Sequence, residues 1–137
     1  DKVELEQVLK REVPRSPVRL VVRRGEPSSL VELSQGRPEL ARNIIILRQD
    51  ETDADAEVVK VALAVCKARQ GLPRIPIIAE LQDSDVARGL RQALPGQVIT
   101  VVQSEVVARV AAQASRAAGL GTLYQDLLDF DGDLYGQ

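Results

Sequence analysis

The stretch Arg42-Asn43-Ile44-Ile45-Ile46-Leu47-Arg48-Gln49-Asp50-Glu51-Thr52-Asp53-Ala54-Asp55 decides how this chain folds. Four consecutive large apolar residues stop at a polar, acidic turn, and a helical pattern starts at once. An unbroken Ile-Ile-Ile-Leu run fits a strand covered on both faces, the habit of parallel sheets inside α/β folds. In such sheets ligands sit just past the carboxyl ends of the strands. The turn from Arg48 to Asp55 is therefore the first place to look for function.

Upstream of that run, residues 2–12 have the pattern of an amphipathic helix, with Leu5, Val8 and Leu9 on one side and Glu4, Glu6, Lys10 and Arg11 on the other. Pro14 and Pro17 end it. Val18–Val22 reads as a short strand that Arg24-Gly25-Glu26-Pro27 breaks, and Ser28 or Ser29 caps a short helix holding Leu30, Val31 and Leu33. Gly36 and Pro38 mark a loop. Downstream, Thr52 and Asp55 stand at capping-box spacing ahead of a helix running to about Arg69, with Val58, Val61, Ala62, Val65 and Cys66 at helical intervals. Its acidic start and basic end suit the helix dipole. Gly71 and Pro73 close it.

A third strand follows over Ile75–Leu81, with Pro76 tolerable at its beginning. Asp83 or Ser84 opens a short helix that stops near Leu94-Pro95-Gly96. Gln97–Val102 is a fourth strand, and Ser104 heads a long helix through Ala118. Gly119 and Gly121 form a hinge before a last helical piece over Thr122–Phe130. One helix followed by four strand–helix units implies parallel strands joined by right-handed crossovers.

With 137 residues the chain is sized for one domain. Aromatic residues make up only 2%, so the core must be built from Val, Leu, Ile and Ala. A net charge of −2 and the lack of an aromatic stacking platform argue against a nucleic-acid partner. Cys66 is the sole cysteine, so no intrachain disulfide forms; it reads as a buried, inert thiol. The absence of histidine excludes Ser-His-Asp and Cys-His catalysis and histidine-ligated metal within these residues. No apolar run approaches the roughly 18 residues a membrane span requires, which fits a soluble chain in a reducing compartment.

Three pieces taken together resemble a known family. They are Arg24-Gly25-Glu26-Pro27 with Leu30 and Leu33; Ala41-Arg42-Asn43-Ile44-Ile45-Ile46-Leu47 with Asp50-Glu51 and Asp53-Ala54-Asp55-Ala56; and Ile77-Ile78-Ala79-Glu80-Leu81-Gln82-Asp83-Ser84-Asp85 with Val102–Arg109 and Gly119-Leu120. Their order and spacing are similar to the cytosolic regulator-of-potassium-conductance domain of the CASTOR/POLLUX type of ion channel, over residues 1 to about 130. The resemblance implies an α/β fold, a Rossmann-like parallel sheet with flanking helices, on the cytoplasmic face of the plasma membrane. It implies a regulatory lobe over 1–118 and a crossover or assembly helix with an acidic tail over 119–137. It further implies a homo-oligomer, a dimer of lobes within a tetrameric ring, attached to a transmembrane pore segment. The ligands it suggests are NAD or another adenine nucleotide, or Ca²⁺.

Two departures stand out. Glu80 replaces an Arg that many bacterial members carry, which favours the CASTOR-like branch. No Gly-x-Gly-x-x-Gly occurs, so the phosphate-cradling turn is missing and the first β-α-β unit is expected to be lacking. In the usual strand order 3-2-1-4-5-6, two strands would lie between Val18–Val22 and Ile44–Leu47, so the chain reads as a fragment, with a rearranged sheet or a second chain filling the gap as the alternatives.

The candidate ligand-binding residues are Gly25, Glu26, Gln49, Asp50 and Glu51. Gly25-Glu26 is either a ligand-facing turn or a plain turn closing a strand; Gln49-Asp50-Glu51 either meets a nucleotide or cation or supplies solvated helix-start acids. Glu80, Asp83 and Asp85 form a second acidic corner whose oxygens suit Ca²⁺, with an ordinary helix cap as the plainer reading. No catalytic residues are expected. A nicotinamide-dependent oxidoreductase built on a Rossmann half and a non-binding assembly module with a vestigial pocket remain as alternatives; Val106, Val107, Val110, Ala111, Ala114 and Ala118 form a stripe that either packs internally or meets a second copy.

Overall fold

The computed structural model describes residues 7, 8, 11, 21–49, 53–117 and 119–128. Gln7, Val8 and Arg11 are helical, as the amphipathic pattern predicts; the rest of that expected helix lies outside the described residues. Val21 and Val22 are irregular rather than extended in a ladder, and the remainder of the strand expected over Val18–Val22 is not among the described residues.

Within the described stretch 21–49 comes a short helix α1 (Leu30–Leu33), followed by two single 3₁₀ turns over Ser34–Gly36 and Pro38–Leu40. Then come β1 (Ile44–Ile46), α2 (Ala54–Ala68), β2 (Ile77–Leu81), α3 (Ser84–Ala93), β3 (Val98–Val102), α4 (Gln103–Arg116) and α5 (Leu120–Leu128). The three strands form one parallel sheet in the order β1-β2-β3. The alternation of strand and helix read from the sequence is thus an α/β sheet with flanking helices, consistent with a Rossmann-like fold.

Register explains the burial. Ile44 pairs with Ile77 and Ile77 with Val98; Ile46 pairs with Ala79; Leu81 pairs with Val102. These residues share one face, and Val58, Val61, Ala62 and Val65 of α2 and Ala87 and Leu90 of α3 close over it. Ala62, Ala79 and Ala87 are completely buried; their small side chains let helix and sheet backbones approach closely. The core is aliphatic throughout, as an aromatic-poor composition demands.

The opposite face departs from expectation. The Ile-Ile-Ile-Leu run reads as a strand covered on both sides, yet Ile45 is 62% exposed and Leu47 is 69% exposed. The register places Ile45, Ile78 and Ile99 in one row across the sheet, and Ile99 is 56% exposed. Among the described residues this second face has no complete cover. An uninterrupted apolar run carries no record of which faces are covered within the same stretch of chain.

α2 is held at both ends. At its carboxyl end the buried Arg69 donates through one guanidinium nitrogen to the Pro38 carbonyl and through the other to the Pro73 carbonyl at 2.9 Å. These two carbonyls belong to the segments leading into β1 and β2, so one side chain ties α2 to the amino ends of two strands. At its start, Asp53 occupies the N-cap position with φ 64°, a left-handed conformation that Asp tolerates better than most residues. Thr52, the expected cap, lies outside the described residues. Asp55 has a different role from the capping box predicted for it, described below. α4 carries no buried residue, and α5 packs back on it after Gly119, whose φ of 94° makes the turn.

Candidate functional site

The strands' carboxyl ends and the outer edge of β1 define the site. Among the described residues β1 pairs with β2 alone, leaving its other edge open. Along that edge runs a cleft of about 660 Å³, walled by the β1 residues Ile44, Ile45 and Ile46 and by Val58, Val61 and Val65 of α2, with the turn Gly25-Glu26-Pro27 on the far side. Leu33 of α1 contributes to the apolar floor. Gln49, Asp53, Glu57 and Lys60 supply the polar groups. The lining is mixed, aliphatic side chains of β1 and α2 beside several polar ones, and such a concave surface can take a small molecule that has both an apolar and a polar part.

The structure therefore brings Gly25, Glu26 and Gln49 together, although 24 positions separate Gly25 from Gln49 in the sequence. Asp50 and Glu51 lie outside the described residues. The sequence marks Asp53 mainly as a capping residue and does not place Glu57 or Lys60 at a site. Their signal was available, because positions 53, 57 and 60 follow helical spacing onto one face of α2, but nothing in one sequence says that this face meets the Gly25 turn.

Local hydrogen bonds fix the Gly25 turn. The Glu26 N–H donates to Glu32 Oε2 at 2.7 Å, while the Glu26 carboxylate accepts from the Ser28 hydroxyl at 2.7 Å and from the Ser28 N–H at 3.2 Å. These Ser28 bonds hold the Glu26 carboxyl below the ordinary carboxylate range. Gly25 matters here through close approach rather than positive φ: a Cβ at this position would stand 2.6 Å from Glu32 Oε2. Gly25→Ala should displace the flexible Glu32 carboxylate and forfeit one exposed hydrogen bond, costing about 1 kcal/mol. The shift in urea midpoint measures this, and a loss several times larger would show that the backbone itself is constrained.

Lys60 is held by Glu57 at 2.8 Å. That bond and the Glu57 charge raise the ammonium above its usual pKa, with smaller contributions from Glu26 and Asp53. Among the described residues the cleft thus has one cation, Lys60, beside the carboxylates of Glu26, Asp53 and Glu57. Cys66 faces away from this chemistry; it is half-buried, and burial pushes its thiol up, as befits the inert role read from the sequence.

The second acidic corner is organised by hydrogen bonding within the protein. Glu80 Oε2 accepts the Arg48 N–H at 3.2 Å. Asp83 is the N-cap of α3, accepting from the N–H groups of Asp85 at 2.7 Å and Val86 at 3.2 Å. Asp85 pairs with Arg88 on the exposed surface. Among the described residues no three His, Cys, Asp or Glu side chains converge to hold a metal ion.

Asp55 joins the two corners. Its carboxylate accepts from the Gln82 N–H at 3.0 Å, the Asp83 N–H at 2.8 Å and Arg48 Nε at 3.1 Å. Burial pushes its pKa up, but the two N–H groups and the Arg48 guanidinium outweigh that and hold the carboxyl below its ordinary range. One side chain at the start of α2 thereby clasps the carboxyl ends of β1 and β2.

No family model matches the chain. Individual proteins do. The chain is 31% identical over 115 residues to "Ion channel DMI1" of Medicago truncatula, an alignment covering 82% of the chain and 13% of that protein. It is 30% identical over 114 residues to "Ion channel CASTOR" of Lotus japonicus, again 82% of the chain and 13% of the relative. With "Probable ion channel CASTOR" of Oryza sativa subsp. japonica the identity is 29% over 134 residues, 96% of the chain and 15% of the relative. The chain thus spans only about an eighth to a seventh of the length of these curated relatives. Among the described residues no helix is long and apolar enough to cross a membrane. A match that runs along most of the chain, to several proteins of one kind, shows that it belongs to the CASTOR/POLLUX type of ion-channel protein as the counterpart of one domain-sized stretch.

Proposed function

We propose that this chain is a ligand-sensing regulatory segment of a CASTOR/POLLUX-type cation channel, on the cytoplasmic side of the membrane, and that it answers its ligand by moving rather than by catalysing a reaction. The observation that supports this is the cleft beside β1, where Gly25, Glu26, Gln49 and Lys60 meet over an aliphatic floor. The ligand class that fits is an adenine nucleotide such as NAD, ATP or AMP. Its base would lie on Val58, Val61 and Ile45, with Glu26 or Gln49 accepting from its ring or ribose and Lys60 turned toward phosphate. Ca²⁺ at the Glu80, Asp83 and Asp85 corner is the second possibility within the same reading. The relatives' names as ion channels fit a non-enzymatic role.

Assembly with a second copy belongs to the same proposal. Val106 and Val107 of α4 and Leu123 and Leu127 of α5 are exposed, and an arm with such a surface suits pairing between lobes in a ring. Binding would act by favouring one ring conformation and so biasing an attached pore.

Thermal unfolding with NAD, ATP, AMP and Ca²⁺ in turn tests the reading. A ligand present at 100 times its Kd should stabilise the chain by about 2.7 kcal/mol. Lys60→Ala should weaken a nucleotide's effect severalfold and leave that of Ca²⁺ unchanged. Stabilisation by Ca²⁺ alone moves the sensor to the Glu80 corner. No stabilisation by any of the four overturns the small-molecule reading and leaves the assembly role.

A further inference from the structure

Hydrogen bonds joined through the main chain at Asp83–Ser84 lead from the lip of the cleft to the arm formed by α4 and α5. Leu47 and Gln49 line the cleft, and Arg48 between them is turned toward the sheet end, where its Nε meets Asp55 Oδ1 at 3.1 Å. Asp55 accepts the Asp83 N–H at 2.8 Å, and Asp83 caps α3. Ser84, the first residue of α3, donates its hydroxyl to Glu105 Oε1 at 2.7 Å. Glu105 lies in the first turn of α4 and also holds Arg109 at 3.3 Å. Three helix starts, those of α2, α3 and α4, are thus linked through Asp55, Asp83 and the Ser84–Glu105 bond.

The rest of α4 is held loosely. It has no buried residue, so little apolar contact competes with the Ser84–Glu105 bond in fixing its first turn. Asp55, by contrast, is well anchored, with a side chain only 15% exposed. A displacement of the 47–49 backbone would pull on Arg48, and the Asp55 carboxylate contacts both Arg48 and the N–H groups of Gln82 and Asp83 in the turn before α3.

We propose that Asp55 and the Ser84–Glu105 bond form a mechanical relay that couples occupancy of the β1 cleft to the order of α4. The proposal rests on the cleft's reading as a ligand site. The relay itself, however, exists without ligand and is testable without one. A coupling of this kind is established by energetics and not by adjacency, so the measurement must report on α4 when a distant link is cut.

Amide hydrogen exchange by mass spectrometry on the whole chain provides that measurement. Asp55→Asn and Ser84→Ala should each speed exchange in peptides covering 104–112 about fivefold, the change in local opening expected for one lost hydrogen bond. The double variant should add little to either single one, since both cut the same series. Arg69→Met, which destabilises the opposite end of α2, should leave local exchange in 104–112 at its wild-type rate. That control separates relay from general loosening. If Asp55→Asn does not fold, Ser84→Ala with Glu105→Gln carries the test, as both sites are near the surface.

Unchanged exchange in 104–112 on cutting Asp55 or Ser84, or an equal rise in Arg69→Met, overturns the relay whatever the ligand results. Faster exchange there with no stabilisation by NAD, ATP, AMP or Ca²⁺ supports the relay and overturns the cleft's reading as a small-molecule site. With a stabilising ligand in hand, its addition should slow exchange in 104–112 of the wild type and not of Asp55→Asn.

Discussion

Replacing Arg69 with Met should lower stability by about 3 kcal/mol and the unfolding midpoint by some 10 °C. Arg69 is only 9% exposed, and both arms of its guanidinium donate to main-chain carbonyls, those of Pro38 and Pro73. Met keeps most of the stem's apolar contact but offers no donor, so both carbonyls lose a charged partner in a place water reaches poorly. Bonds to charged donors contribute roughly 1.5–3 kcal/mol each, and an unsatisfied buried acceptor incurs a further desolvation cost. Arg69→Lys is expected to fall between wild type and Met, because a single ammonium cannot reproduce the planar fork. Thermal and urea unfolding followed by far-ultraviolet circular dichroism would measure both, as the chain has no tryptophan. A loss below about 1 kcal/mol for Met would mean that the 3₁₀ turn at Pro38–Leu40 relaxes freely and that Arg69 is not the tie between α2 and the strand entrances.

This residue marks one limit of what the sequence discloses. Arg69 sits in the last basic turn of α2, where a solvated cation suits the dipole, and that was its natural reading. Its burial depends on two proline carbonyls 31 positions before it and four after it. Helical spacing, turn residues and the order of elements were legible because they are local: α2, α3 and the strands at 77–81 and 98–102 stand within a residue or two of expectation. The caps were half legible. Asp83 caps α3 as its position before the helix implies, whereas Asp55, placed by spacing in a capping box, leaves its own helix end and binds the β2–α3 turn. A short acidic side chain has several main-chain donors within reach, and only tertiary placement selects among them.

The cleft was legible in part for the same reason. The rule that ligands gather at strand carboxyl ends drew attention to Gln49, and the strand-breaking turn drew attention to Gly25 and Glu26. Their meeting across β1 was not deducible from either. Nor was the open sheet face, since Ile44–Ile46 has the same composition whether one side or both are covered. Of the two acidic corners read as possible cation sites, the one at Glu80, Asp83 and Asp85 turns out to spend its oxygens on the Arg48 N–H, the α3 cap and Arg88.

Asp55→Asn should cost about 2–3 kcal/mol near neutral pH, because an amide presents only one accepting atom to three donors. Its NH₂ would face either a main-chain N–H of the β2–α3 turn or the Arg48 guanidinium, in both cases donor against donor. The pH dependence identifies the cause. The folded-state pKa of Asp55 is lowered, so between that value and its ordinary value the unfolded chain binds more protons than the native one. Its stabilising contribution is therefore complete above the ordinary carboxylate pKa and is lost as pH falls through the lowered one. Wild type and Asp55→Asn should differ fully at pH 7 and converge on acidification past that point. Glu26 and Glu39 also have lowered values in the folded state, so the wild-type curve alone mixes several carboxylates; only the difference between the two proteins belongs to Asp55. Urea midpoints taken from pH 7 down to the acid limit of folding supply that difference. A gap that stays constant across the whole range would show that the loss in Asp55→Asn comes from altered packing, and that the carboxylate's charge does not hold the ends of β1 and β2 together.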